Sequence, residues 1–308
     1  MNELDSVAVC SRSFSKNQKL RSELKKRYKF VKFNDEGLSL SGNQLIDFVQ
    51  GYSKTIIGLE KMNEDILTSL PELKVISKYG VGTDNLDLQI MQQMNISLGI
   101  KPGINRRAVS ELVLGLTILL LRYLSEANDE VKKGGWNQFK GTQLTNKVFG
   151  IVGYGQIGKD LSSLIKPFDC QLLVHDMEEI NNIDAEQVSL SELLKRSDIV
   201  SLHLPFNEDT RNIINKESFT HMKETSILIN LSRGGIVNEK DLKEALIDGS
   251  IQSAAFDVFA QEPPTDSELL NLPNFFATPH IGGISEEGIE AMGMAAIEGL
   301  DDNVIPSY

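Results

Sequence analysis

Short apolar runs alternate with longer stretches whose apolar positions recur every three to four residues, and the rhythm starts at the beginning of the chain. Runs at residues 7–10, 30–32 and 55–57 read as strands, and amphipathic stretches at 16–28 and 44–49 read as helices. Strand and helix in alternation predict βαβ units and a parallel sheet. The next strand, at 74–77, leads into Lys78-Tyr79-Gly80-Val81-Gly82-Thr83-Asp84-Asn85. Glycines two apart let backbone approach a ligand closely, and loops after parallel strands are where such sheets bind ligands.

The longest helical pattern covers 105–133, with Ala108, Val109, Leu112, Val113, Leu116, Leu119 and Leu120 at helical spacing and Gly134-Gly135 as its stop. Its middle is apolar nearly all round, which predicts burial. A second alternating series begins at Val148, with strands expected at 148–152, 171–175, 199–203, 226–230 and 253–256. That many strands imply a full nucleotide-binding sheet. The last helix, at 285–300, is expected to cross back and complete the first domain. Residues 102–283 would then form a domain inserted into one built from 1–101 and 284–308.

Composition narrows the class of partner. A chain of 308 residues with 41% apolar and 24% charged residues fits a soluble protein of two domains. Its net charge of -12 argues against nucleic acid or an anionic membrane as partner, because no surplus of cations exists to meet phosphates. Cys10 and Cys170 lie in no CxxC or metal-like spacing and read as small buried residues, so no metal site is expected. No signal-like apolar run opens the chain, and residues 112–124 are too short to span a bilayer. The cytoplasm is the expected compartment.

The chemistry-bearing residues lie in the second series. Strand 148–152 runs into Gly153-Tyr154-Gly155-Gln156-Ile157-Gly158, which opens a helix. In a GxGxxG loop the glycines allow a tight turn, approach of a pyrophosphate to backbone N–H groups, and close helix packing. Asp176 ends the next strand, 18 residues past Gly158, where a carboxylate can accept from an adenosine ribose. Met177, Glu178 and Glu179 follow with no arginine for a 2′-phosphate, so NAD is preferred to NADP. Further on, three separate strand ends deliver Arg233, Glu262 and His280 to one sheet edge. Reducing a carbonyl beside a carboxylate needs those groups: a cation for the substrate's carboxylate, an acid for the nascent alkoxide, and an anion to keep that acid protonated.

Taken in order, the segments KYGVGTDNLDL, VSELVLGLTILLLR, GIVGYGQIG, NLSRGGIVNE, AAFDVFAQEPP and TPHIGG resemble those of the D-isomer-specific 2-hydroxyacid dehydrogenases over residues 75–283. The family includes phosphoglycerate dehydrogenase, glyoxylate or hydroxypyruvate reductase, D-lactate dehydrogenase and formate dehydrogenase. The resemblance implies two doubly wound α/β domains, a Rossmann NAD-binding domain inserted into a flavodoxin-like substrate domain. It implies an NAD-dependent dehydrogenase acting on a D-2-hydroxy acid and its 2-oxo partner. Arg233 would bind the 2-oxo acid, His280 would be the acid/base, and Glu262 would orient and charge it.

The same resemblance assigns Asp257 to the nicotinamide carboxamide, and Val81 and Gly82 to the substrate carboxylate through backbone N–H groups. Leu204, Pro205, Thr210, Leu231, Gly282 and Gly283 join Gly153, Gly155, Gln156, Ile157, Gly158 and Asp176 as cofactor positions, although packing alone would also account for Leu204, Pro205, Thr210 and Leu231. Where phosphoglycerate dehydrogenases carry arginines toward phosphate, this chain has Lys78 and Ile57. Lysine keeps a point charge without the bidentate fork. Lys78 therefore points to a 2-hydroxy acid with a second anionic end, such as 3-phosphoglycerate. The chain ends at Tyr308, without the C-terminal serine-binding domain of many phosphoglycerate dehydrogenases, and Glu262 disfavours formate dehydrogenase, which pairs glutamine with its histidine. A homodimer through the NAD-binding domain is expected from the apolar 105–133 helix. A second reading, an NAD(H)-responsive corepressor-like interaction protein, carries the same motifs.

Overall fold

The computed structural model describes residues 6–307, so the expected domain bounds at 1–5 and 308 lie outside the described residues. The chain forms two compact units: one runs to Asn105 and resumes at Glu286, and the other is Arg106–Ser285. The first holds β1 (Ser6–Val9), β2 (Phe30–Phe33), β3 (Lys54–Ile57), β4 (Val75–Lys78) and β5 (Ser97–Gly99), all parallel, in the order β2-β1-β3-β4-β5. Val7, Ala8 and Val9 are fully buried, so both faces of this sheet are covered. One face meets Leu20 and Leu24 of helix Gln18–Arg27 and Ala296 and Ile297 of helix Glu286–Gly299. The other meets Leu45, Val49, Ile66, Leu67 and Met91.

Small residues let the returning C-terminal helix settle on this sheet. A Cβ on Gly99 would lie 2.1 Å from the Gly299 carbonyl oxygen, and one on Gly293 would meet Leu20 at 2.3 Å. Ser77 Oγ donates to Ala296 O at 2.6 Å, satisfying a carbonyl in the helix's last turn.

The second unit holds β6 (Val148–Val152), β7 (Gln171–His175), β8 (Glu186–Gln187), β9 (Ile199–Leu202), β10 (Ile227–Asn230), β11 (Ser253–Phe256) and β12 (Phe275–Ala277). They form one parallel sheet, ordered β12-β11-β10-β9-β6-β7-β8. Val109, Val113, Leu116, Leu161 and Ile165 cover one face, and Leu193, Phe219, Leu242 and Leu246 cover the other. Both sheets are doubly wound. Chain order reverses between β1 and β3 and between β6 and β9, and crevices at such reversals bind ligands beyond the strands' C-terminal ends.

The expected single helix at 105–133 is two helices, Arg106–Leu121 and Leu124–Lys132, bent by 63°. Tyr123 takes a left-handed φ of 53° at the break. The first piece buries an apolar face and the second buries no residue, so the polarity change along the sequence coincides with the bend. Among the described residues no single helix is long and apolar enough to cross a membrane. Strands β5 and β8 are additions to the expected set, because three and two residues are too few to show alternation.

Candidate active site

The glycine loop joins β6 to helix Gln156–Ile165 at the strand-order reversal. Gly153 adopts φ +93°, and a Cβ there would lie 2.6 Å from the His203 carbonyl oxygen, so only glycine fits. At Gly158 a Cβ would meet Gly153 O at 2.4 Å, which closes the helix onto the turn. Nothing lies within 4 Å of a Cβ on Gly155, and that residue and Gln156 are exposed at a helix start with no side-chain cap. The open backbone N–H groups fit a pyrophosphate. Half-buried Asp176 follows β7, and its carboxylate accepts from Tyr154 N at 2.7 Å and Glu178 N at 3.2 Å. Those bonds fix the carboxylate while leaving lone pairs for a ribose diol. The residues therefore fit a dinucleotide.

Around this loop the other expected positions divide. Leu204 packs beside the Gly153 turn, at 3.1 Å from a Cβ there, and Pro205 is exposed. Thr210 is buried, donating to Pro205 O at 2.7 Å and accepting from Asn207 N at 2.9 Å, so its hydroxyl closes its own loop. Leu231 is buried in the core with Val109 and Ile229. Ile157 is half-buried, Gly282 is buried, and Gly283 is half-buried.

At the C-terminal edge of β10 to β12, Glu262 and His280 come together directly: Oε2 meets Nδ1 at 2.9 Å. The glutamate's other oxygen accepts from Phe259 N at 3.2 Å, so both oxygens are engaged and the carboxylate is aimed. With Nδ1 held, Nε2 is the ring nitrogen left to exchange a proton with a substrate. Arg233 follows β10, half-buried, with Nη1 donating to Ser232 O at 2.7 Å. A Cβ on neighbouring Gly234 would lie 2.0 Å from Phe259 backbone atoms, so the arginine loop rests directly on the segment that fixes Glu262.

Asp257 has a structural role besides the one the sequence suggests. It is 1% exposed, and its oxygens accept from Thr278 Oγ1 at 2.6 Å, Ile281 N at 2.7 Å and Gly282 N at 2.7 Å. Three donors on one buried carboxylate clamp the segment carrying His280, whose φ of +56° is unusual for a residue with a side chain. Asp257 thus holds the His280 segment in its left-handed conformation. Asn230 does a similar service for Arg233: its Oδ1 accepts from Ser232 N and Oγ, and its Nδ2 donates to Arg233 O at 3.0 Å. Sequence reasoning missed Asn230, Thr278 and Phe259 as supports. The available signal was a polar residue ending an apolar strand.

In the first unit, Val81 and Gly82 are half-buried in the loop after β4. Lys78 is 5% exposed instead of reaching outward, and its Nζ donates to Gly58 O and, at 2.7 Å, to Asn85 Oδ1. The expected phosphate ligand is corrected to a buried cation satisfied by its own loops. Two further groups drop out as proton carriers. Burial pushes His203 down to about 3, keeping it neutral, and pushes the Cys10 thiol up to about 12.

The model of the D-isomer specific 2-hydroxyacid dehydrogenase NAD binding domain matches residues 114–282. A hydroxypyruvate reductase of Thermotoga maritima is 36% identical over 77% of this chain and 80% of its own length. A D-3-phosphoglycerate dehydrogenase of Methanocaldococcus jannaschii is 37% identical over 77% of this chain but 47% of its own length. The solved structure of the TT0316 protein from Thermus thermophilus superposes with a TM-score of 0.85 at 30% identity, covering 95% of this chain and 94% of that one.

Proposed function

From a chain that belongs to the D-isomer specific 2-hydroxyacid dehydrogenase family and is an NAD-dependent oxidoreductase, we infer reduction of a short 2-oxo acid such as hydroxypyruvate to its D-2-hydroxy acid. The observation that carries the chemistry is the Glu262–His280 pair. Bound NADH supplies the hydride. His280 Nε2 gives its proton to the oxygen that was the carbonyl, while Glu262 on Nδ1 compensates the imidazolium charge. Arg233 takes the substrate carboxylate and reduces the entropy cost of alignment; in the first unit the backbone N–H groups of Val81 and Gly82 are the donors offered to a carboxylate. In oxidation the neutral imidazole takes the proton back. Asp257 supports this step by holding the His280 loop, and the acceptor position its three donors leave fits the expected carboxamide contact.

A phosphorylated substrate would need Lys78 as its partner, and the buried position of that ammonium favours a shorter, unphosphorylated acid. The relatives are named as dehydrogenases and reductases, which favours an enzyme over an interaction protein. Exposed Leu124, Val131, Trp136 and Phe139 cluster in sequence after the Tyr123 bend and support a homodimer through the NAD-binding unit. Two free thiols fit a reducing cytoplasm. NADH oxidation with glyoxylate, hydroxypyruvate, pyruvate and phosphohydroxypyruvate tests the reading. Hydroxypyruvate or glyoxylate should be preferred, and turnover of none would overturn it.

A further inference from the structure

Two loops of the first unit meet on one buried ammonium. Lys78 closes β4, paired in register with Ile57 at the end of β3, and its Nζ reaches back to Gly58 O in the loop after β3. The same Nζ donates to Asn85 Oδ1 at the far end of the loop after β4. Asn85 completes the tie, its Nδ2 donating to Glu60 O at 2.5 Å and Gly58 O at 3.2 Å. Backbone bonds Met62 N to Asn85 O and Asp87 N to Met62 O, at 2.8 and 3.0 Å, continue it. Gly58 is fixed as well, its N donating to Glu60 Oε2 at 2.6 Å.

A buried ammonium is costly unless its donors are met, and these acceptors all come from the two loops it joins. The lysine stem also lies directly under the turn that precedes Val81. Gly80 adopts φ +141°, and a Cβ on it would stand 3.8 Å from Lys78 Cε. Residues 80–82 are therefore supported from below by the stem and held at their far end through Asn85.

We propose that Lys78 and Asn85 form a positioning brace that sets the backbone N–H groups of Val81 and Gly82 for the substrate carboxylate, and that Lys78 is no ligand for a distal phosphate. The proposal rests on the dehydrogenase reading for its substrate. A brace acts on the part every 2-oxo acid shares, whereas a phosphate ligand acts on the part that distinguishes them. The two roles therefore give different patterns across substrates.

The test compares the full-length wild-type chain with Lys78→Met, Asn85→Leu and Lys78→Arg. Steady-state kinetics with hydroxypyruvate and phosphohydroxypyruvate would be joined by NADH titration and by hydrogen exchange over residues 79–86. For Lys78→Met and Asn85→Leu, KM should rise roughly tenfold and by the same factor for both substrates, as a misplaced carboxylate contact requires. Turnover at saturation should stay within about twofold, NADH affinity should hold, and amide protection at 79–86 should fall. Lys78→Arg, which can still donate to Gly58 O and Asn85 Oδ1, should recover most of that protection. A KM increase confined to phosphohydroxypyruvate, or unchanged KM and protection in both Lys78→Met and Asn85→Leu, would overturn the brace. Should Lys78→Met misfold, Asn85→Leu decides alone. If wild type reduces no 2-oxo acid yet protection still drops in the variants, the catalytic reading falls and the loop brace stands.

Discussion

The two units use polar side chains at their strand ends in opposite ways. In the second unit Glu262 and His280 are bonded to each other and remain well exposed, so both groups are open to a substrate. In the first unit Lys78 is buried and spends its donors on Gly58 and Asn85, leaving backbone as the surface that loop offers. The second unit presents a side-chain pair at its edge and keeps its buried Asp257 and Asn230 to shape the main chain, whereas in the first unit the charged residue itself does the shaping. A charged residue after a parallel strand is thus a ligand or a brace according to where its partners lie, and residue type alone does not decide between them.

The sharpest way to break the comparison is His280→Ala. Turnover should fall by roughly two to four orders of magnitude, with NADH affinity nearly intact, as expected if the glycine loop and Asp176 hold the cofactor. Near-normal turnover would mean another group supplies the proton.

Asp257→Ala should come next. Removing the buried acceptor releases Thr278, Ile281 and Gly282 and lets His280 relax from its left-handed φ, so turnover should drop by about 100-fold, as for misplacement of a reacting group by an ångström. Loss of NADH affinity exceeding the loss of turnover would make the cofactor role the dominant one for this residue. A smaller effect is expected from Asp176→Ser, which should narrow the preference for NAD over NADP by removing an anion that repels a 2′-phosphate. Equal efficiency with both cofactors in the wild type would refute that role.

The least effect should be seen on stability in alkali, to which Tyr28 of the first unit contributes. Burial, then the hydrogen bond to Asp301, pushes the Tyr28 hydroxyl up to about 12 from its ordinary 10.0. Its folded value exceeds its unfolded one, so this contribution is complete below pH 10 and is lost as pH rises toward 12. Urea unfolding followed between those pH values should show a decline that Tyr28→Phe reduces. An identical decline in that variant would assign it to other groups.

Much of the fold was legible beforehand because strand runs and helical spacing are local. The places of the glycine loop, Asp176, Arg233 and His280 were legible for a related reason: each stands within three residues of the end of an apolar strand, Glu262 six residues past β11, and parallel strands place their C-terminal ends along one edge. The bend at Tyr123 was not, since a left-handed residue without glycine leaves no mark in hydrophobic spacing. Strand β8, two polar residues on a sheet edge, was invisible for want of pattern.

By itself the sequence determined the alternation of elements, the reversal points of the sheets, and the order in which Arg233, Glu262 and His280 arrive at the second sheet's edge. These follow from periodicity and from residue types at fixed offsets. Only the tertiary structure decided that Asp257 faces the His280 loop and that Lys78 turns inward. Both outcomes depend on donors and acceptors brought in from distant parts of the chain: Thr278 and Gly282 for the aspartate, Gly58 for the lysine. A buried charge takes the position where its hydrogen bonds can be completed, and folding alone assembles those partners.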